Sequence, residues 1–312
     1  MPTSPPPPEG AAPASATPVT PAVLRAWRLP PPGVGKDARG RVLVVGGSDQ
    51  TPGAVMLAAE AALRSGAGKL QVATAASVAR AVAVALPEAL VLPLPETPDG
   101  DVAPSAAQRV AEAAQGSSAV LLGPGVRDVD AVRELLDALV PQLGPDAVGT
   151  VVLDAAAHAW VGARLRDGGS GLGSLRGRAL LTPNPTELAL TLGVEREAVV
   201  REPAAHALAL ARAAGAVVSC GGGESWIAAP DGRTWCDRTG GTGLGVSGSG
   251  DVLAGIVTGL AARGAEPAQA AVWGAHLHGR AGDRLAAGVG PLGFLARELL
   301  PQVPRVLTEV EG

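Results

Sequence analysis

From Arg41 onward, short and mostly apolar runs alternate with longer stretches in which apolar residues recur at helical spacing. The runs are Val42–Val45, Leu70–Ala73, Ala89–Leu92, Ala119–Leu122, Thr150–Leu153 and Ala179–Leu181. Runs this short, with apolar residues at successive positions, suit strands covered on both faces. Between them, Ala54–Ser65, Ser77–Leu86, Ala103–Gln115, Asp128–Val140 and Thr186–Leu192 carry the periodicity of helices. The alternation predicts a parallel sheet with helices on both sides. Near Gly215 the pattern changes. Val217–Cys220, Trp226–Ala229 and Thr234–Cys236 read as strands, and Pro230-Asp231-Gly232 is the turn between the last two. They predict an antiparallel edge on the mainly parallel sheet. After Asp251 the chain reads as helix to about Ala287, with a further helix near Phe294–Leu300.

Composition trims this picture at one end. Residues 1–22 are Pro, Ala, Ser and Thr with almost no bulky apolar side chain. Such a stretch buries too little surface to offset its ordering entropy, so it is expected to be a disordered tail. Structure is expected from about Val23–Leu29, and residues 23–312 form one domain with no internal repeat or linker. Tyr is absent and Phe occurs once, so the core must be built from Ala, Val and Leu.

Charge excludes some partners. A net charge of −4 argues against nucleic acid, which calls for a basic face. No apolar run approaches the roughly 20 residues that span a bilayer, and the N-terminus lacks a secretory signal's basic start and apolar core. No membrane association and a cytoplasmic location are expected. Cys220 and Cys236 call for neither an oxidising compartment nor a metal, and read as small buried side chains. His276 and His278 would project to different sides of a helix, so no protein-ligated metal is expected from them.

The candidate chemistry lies where strands end, because functional loops of open α/β sheets gather beyond the carboxyl ends of their strands. Gly46-Gly47-Ser48, Gly123-Pro124-Gly125, Asp154 and Thr182-Pro183-Asn184-Pro185 all sit there. The longest glycine-rich stretch runs from Thr239 through Ser247-Gly248-Ser249-Gly250-Asp251 into an apolar helix. Glycines let backbone N–H groups approach phosphate oxygens, and a helix N-terminus favours anions. Asp251 sits at that helix start. It reads either as an N-cap or as a carboxylate that takes a proton from a substrate hydroxyl; the glycine run favours the second.

Gly248-Ser249-Gly250-Asp251 with Val252-Leu253-Ala254-Gly255 resembles the signature of ribokinase-like enzymes. Within that fold the chain most resembles the ADP/ATP-dependent (S)-NAD(P)H-hydrate dehydratases. Their features recur in order: Val42–Ser48, Pro52-Gly53-Ala54, Ala61–Gly68, Gly123-Pro124-Gly125, Asp154-Ala155, Thr182–Glu187, the long glycine turn, and His278-Gly279-Arg280-Ala281-Gly282-Asp283. The resemblance covers about Leu29 to Leu300.

It implies a three-layer α/β/α sandwich and a repair reaction. A nucleotide phosphate activates the hydroxyl of hydrated NADH or NADPH, and elimination then restores the nicotinamide ring. By resemblance, Asp251 is the base, and Ala54, Gly125, Asn184 and Asp251 contact the hydrated cofactor. Gly221, Gly222, Gly223, Glu224 and Ser225, with Gly248, Ser249 and Gly250, bind ADP or ATP. Mg²⁺ bridges the nucleotide phosphates, with Glu187 contributing through water. Asp154 reads equally as a functional or a structural carboxylate. The resemblance also implies a homo-oligomer, as large as a tetramer. A separate epimerase is expected to supply the usable epimer, since too little chain precedes Arg41 for a fused one.

Two positions depart from the family pattern. Asn184 stands where Pro-His-Pro often has His, which keeps hydrogen bonding and loses a cation. The family's Lys-Gly falls on Gly221-Gly222, or in another register on Cys220, and no lysine follows Lys69. An arginine from elsewhere could supply the missing charge. That loss keeps two alternatives open, a ribokinase-like kinase for a vitamin precursor and a catalytically weak nucleotide-binding protein.

Overall fold

The computed structural model describes residues 16–168 and 171–312. The described residues begin with β1 (Thr17–Pro18) and α1 (Pro21–Ala26), followed by β2 (Arg41–Val45), α2 (Pro52–Arg64), β3 (Lys69–Ala75), α3 (Ala76–Ala85) and β4 (Ala89–Leu94). Next come α4 (Ala107–Ala114), β5 (Ser117–Leu122), α5 (Val129–Leu139), β6 (Val148–Leu153) and α6 (Ala157–Arg166). β7 (Ala179–Leu181) leads to α7 (Pro185–Leu192), α8 (Arg196–Arg201) and α9 (Pro203–Ala214). The last strands are β8 (Val217–Cys220), β9 (Ser225–Ala228) and β10 (Thr234–Asp237). α10 (Ser249–Ala262), α11 (Pro267–Gly288), α12 (Ala296–Leu299) and α13 (Val303–Glu311) close the chain.

The strands form one sheet in the order β1-β10-β9-β8-β7-β6-β5-β2-β3-β4. β9 alone runs against the rest, pairing antiparallel with both β8 and β10. The antiparallel margin is therefore present but not outermost: β1 lies beyond it, parallel to β10, with Thr17 opposite Trp235. Successive strand residues face opposite layers. Val42 and Val44 pack toward α2, α10 and α11, while Leu43 and Val45 pack toward α4, α5, α6 and α9. That double burial is why the strands carry almost no alternation.

Three expectations need correction. Residues 1–15 of the expected tail lie outside the described residues, but the rest of it is not tail. Thr20 caps α1 through the Val23 N–H, and Trp27 stacks on Trp235 at 5.6 Å. The long C-terminal helix is two, because Gly264 adopts φ +99° and Pro267 opens α11. Finally, α6, α8, α9 and α13 escape the sequence pattern. In α6 and α9 the buried sides are largely alanine or interrupted by polar residues, as with Ala157, His158 and Trp160 in α6, so apolar contrast is low there.

Candidate active site

Because β2, β5, β6, β7 and β8 run parallel, their carboxyl ends share one edge of the sheet. Backbone hydrogen bonds draw the loops there together. Gly47 N–H donates to the Pro124 carbonyl at 2.7 Å, and Gly221 N–H to that of Pro183 at 3.3 Å. Gly123 passes so close to the β6 end that a Cβ on it would lie 2.1 Å from the Asp154 carbonyl oxygen. Ala155, just after β6, holds φ +47° and is the only non-glycine residue with positive φ among the described residues. Strain of this kind tends to persist at functional sites.

A cleft of about 710 Å³ opens on this edge. Among the expected site residues, Asn184, Gly221–Ser225, Ser249 and Gly250 line it, joined by Thr239–Thr242 and His278. Nothing lies within 4 Å of a Cβ built on Gly221 or Gly223, so their backbone faces open space. Cys220 is 1% exposed, sits in the core beside β7, and burial pushes its thiol up to about 12. Of the two registers, Gly221 is therefore the position facing the cleft. The Glu224 carboxylate on this wall is met by Arg238 Nε at 2.8 Å.

Gly248 caps α10 with φ +89°, which makes Asp251 the third residue of the helix rather than its N-cap. The N–H groups of Gly250 and Asp251 have no backbone acceptor; that of Asp251 turns to its own carboxylate, and that of Gly250 is left to meet an anion. α10 crosses α2 closely. Cβ atoms on Gly255 and Gly259 would lie 2.2 Å from the Ala58 oxygen and 2.4 Å from the Ala62 oxygen. The paired residues advance together, so the helices run parallel. One turn earlier on each stand Asp251 and Ala54, which brings the two side by side at the sheet edge. Gly125 joins them, since its Cβ would lie 2.8 Å from that of Ala54. Ala54, Gly125, Gly248 and Asp251 adjoin the cleft without lining it.

Side chains gather between these parts. Asp154 is 6% exposed, and its Oδ1 accepts from Thr182 Oγ1 at 2.7 Å. Burial pushes its carboxyl up to about 7; His158 pulls against this, and the charges of Glu187 and Asp251 add to it. Burial likewise lifts Asp251 to about 6, opposed by its own backbone N–H and helped by Glu187. Burial also works on Glu187, but the His158 ring and the Asn184 N–H outweigh it and hold this carboxylate below its usual range. Asp154 is thus part of the site's electrostatics rather than an isolated strand-end carboxylate. Asn184 caps α7: its Oδ1 accepts from Thr186 N–H at 2.9 Å and Glu187 N–H at 3.0 Å. The carbonyl is used up by the cap, so position 184 offers the cleft only N–H donors. His158 was not foreseen as a site residue, and Thr182 was named only as part of its strand-end motif. The signal was available in their place just after β6 and at the end of β7.

Comparison with known proteins gives a consistent result. The sequence profile described as NAD(P)H-hydrate dehydratase matches residues 42–305. The chain is 48% identical over 290 residues to an ADP-dependent (S)-NAD(P)H-hydrate dehydratase of Xanthomonas campestris, covering 93% of this chain and 95% of that one. A Bacillus subtilis ADP/ATP-dependent NAD(P)H-hydrate dehydratase co-crystallised with ATP/Mg²⁺ superposes with a TM-score of 0.76 at 28% identity, over 95% of this chain and 99% of that one. A ribokinase-like superfamily protein of Enterococcus faecalis shares the fold alone, with a TM-score of 0.79 at 21% identity over 97% and 100% of the two chains.

Proposed function

The chain belongs to the NAD(P)H-hydrate dehydratase family, and from that premise we propose how its cleft carries out nucleotide-dependent dehydration of the S epimer of hydrated NADH or NADPH. The observation that carries the reading is Asp251 in the first turn of α10, beside Ala54, with the unpaired N–H of Gly250 next to it.

The substrate hydroxyl is a poor leaving group, and bound ADP or ATP supplies the phosphoryl group that changes this. Asp251, ionised, accepts the hydroxyl proton as that oxygen bonds to the terminal phosphorus and the bond to the bridging oxygen breaks. The Gly248–Gly250 backbone stabilises charge on the moving phosphoryl group. Loss of phosphate, with a proton from the adjacent ring carbon, then restores the reduced nicotinamide. The N–H donors of Asn184 orient the hydrated cofactor, with Ala54 and Gly125 as its close-fitting floor. Gly221–Ser225 cradles the nucleotide. Among the described residues, no group of three or more His, Cys, Asp or Glu is placed to hold a metal. A Mg²⁺ ion arriving with the nucleotide would be reached by Glu187 through water and would offset phosphate charge there.

The S preference makes a separate epimerase the natural functional partner, in the cytoplasm where NAD(P)H and nucleotide meet. No helix among the described residues is long and apolar enough to cross a membrane. The test is to incubate the protein with hydrated NADH, Mg²⁺ and ADP or ATP, and to follow reduced-nicotinamide absorbance. Recovery that requires the nucleotide is expected; none from folded protein at high enzyme and nucleotide concentration would sink the proposal.

A further inference from the structure

The His278–Asp283 segment of α11 lies under the glycine-rich turn and holds it at both ends. At the upstream end, buried Asp237 accepts the Thr239 N–H on Oδ1 and lies 2.8 Å from His276 Nδ1 through Oδ2, both at 2.8 Å. The next residue, Gly240, donates its N–H to Asp283 Oδ1 at 3.0 Å. Between the ends the turn rests on bare helix, since a Cβ on Gly282 would lie 2.8 Å from Leu244 Cδ2. At the downstream end, His278 Nε2 lies 3.0 Å from Ser249 Oγ, in a buried contact on the cleft wall.

A glycine-rich loop has much conformational freedom to lose, so its anchors decide whether its N–H groups are aimed before a ligand arrives. We propose that His278 is a positioning residue, which acts through Ser249 to hold the phosphate-facing end of the turn in the geometry that receives the nucleotide. The inference rests on the nucleotide reading of the cleft given above. Burial pushes the His278 ring down to about 4, against the opposing influence of Ser249 and Asp237, so near pH 7 it is neutral with a single N–H. With that hydrogen on Nε2, Ser249 Oγ accepts from the ring and keeps its own hydrogen for an anion.

Calorimetric titration of ADP with Mg²⁺ tests this without any turnover, using the unaltered chain, His278→Leu, Ser249→Ala, the double variant and His278→Gln. Each single change is expected to weaken ADP binding about 5–10-fold, the size of one lost hydrogen bond. Because one residue acts through the other, the double variant should be no weaker than the worse single one. His278→Gln, which keeps a donor, should stay within about threefold of the unaltered chain. Single effects that multiply in the double variant, or a cooperatively melting His278→Leu protein that binds ADP normally, would overturn the proposal. If His278→Leu does not fold, the same cycle with His278→Gln and Ser249→Ala is read, and multiplying effects again count against it. Failure of the unaltered chain to bind ADP at all is a separate result, and it would overturn the reading of the cleft itself.

Discussion

On the side of the cleft formed by the β8–β9 loop and the turn before α10, the lining is mostly backbone. Gly221–Gly223, Gly240, Gly241 and Gly250 present amide groups, and the Glu224 carboxylate is balanced by Arg238. On the side formed by the ends of β6 and β7, Thr182 reaches the cleft and side chains gather behind it: Asp154, His158 and Glu187, with Asp251 near them on α10. Backbone amides do not titrate, and a side-chain change short of proline leaves them in place; their weak point is conformation. Carboxylates titrate, and their mutual repulsion and burial raise Asp154 and Asp251 toward neutral pH. One wall should therefore answer to geometry and salt, the other to pH and to single side-chain changes.

The largest effect is expected from the side-chain wall. Asp251→Asn should lower kcat about 10²–10⁴-fold while leaving ADP affinity within about threefold, a split seen by pairing the absorbance assay with titration. The same residue sets the pH dependence. A carboxyl lifted to about 6 accepts a proton only when ionised, so activity is held above that pH and lost as pH falls through it. In the unaltered chain kcat/KM should drop about tenfold per pH unit below it; a flat profile down to pH 5 would remove Asp251 from the role.

A smaller effect should come from bending the backbone wall. Gly248 holds φ +89°, and a Cβ there would lie 2.5 Å from Leu57 Cδ1. Gly248→Ala should cost about 1–3 kcal/mol of stability, read by denaturant melts, and should weaken ADP binding as the turn shifts.

The smallest effect tests whether amides alone suffice. Gly221→Lys places a cation where a Cβ meets nothing within 4 Å. ADP binding should tighten about 3–10-fold at low salt, and the gain should shrink as salt screens it. No change in affinity would mean that the backbone wall is already complete without a cation.

Much of this was legible from local pattern. Strand-length apolar runs and helical periodicity located β2 through β7 with their order along the chain, because local sequence suffices wherever burial is two-sided and contrast is high. The glycine turn was legible too, and the structure brings it to the cleft at the start of an apolar helix. The alanine-rich α9 and polar-interrupted α6 were invisible because packing, not apolar contrast, makes them helices.

Some decisions belonged to the fold alone. The order of residues left two positions, Gly221 and Cys220, as candidates for the nucleotide-facing site. Only the sheet, by burying Cys220 in the core, settled that Gly221 faces the cleft. The sequence likewise marked Ala54, Gly125 and Asp251 far apart along the chain, and the close crossing of α2 on α10 at Gly255 and Gly259 made them neighbours. Proton affinity was decided last and furthest from the sequence. Asp154 and Asp251 are ordinary carboxyls in a list of residues, and burial beside Glu187 moves them toward neutrality, because desolvation and charge–charge repulsion depend on distance in space and not along the chain.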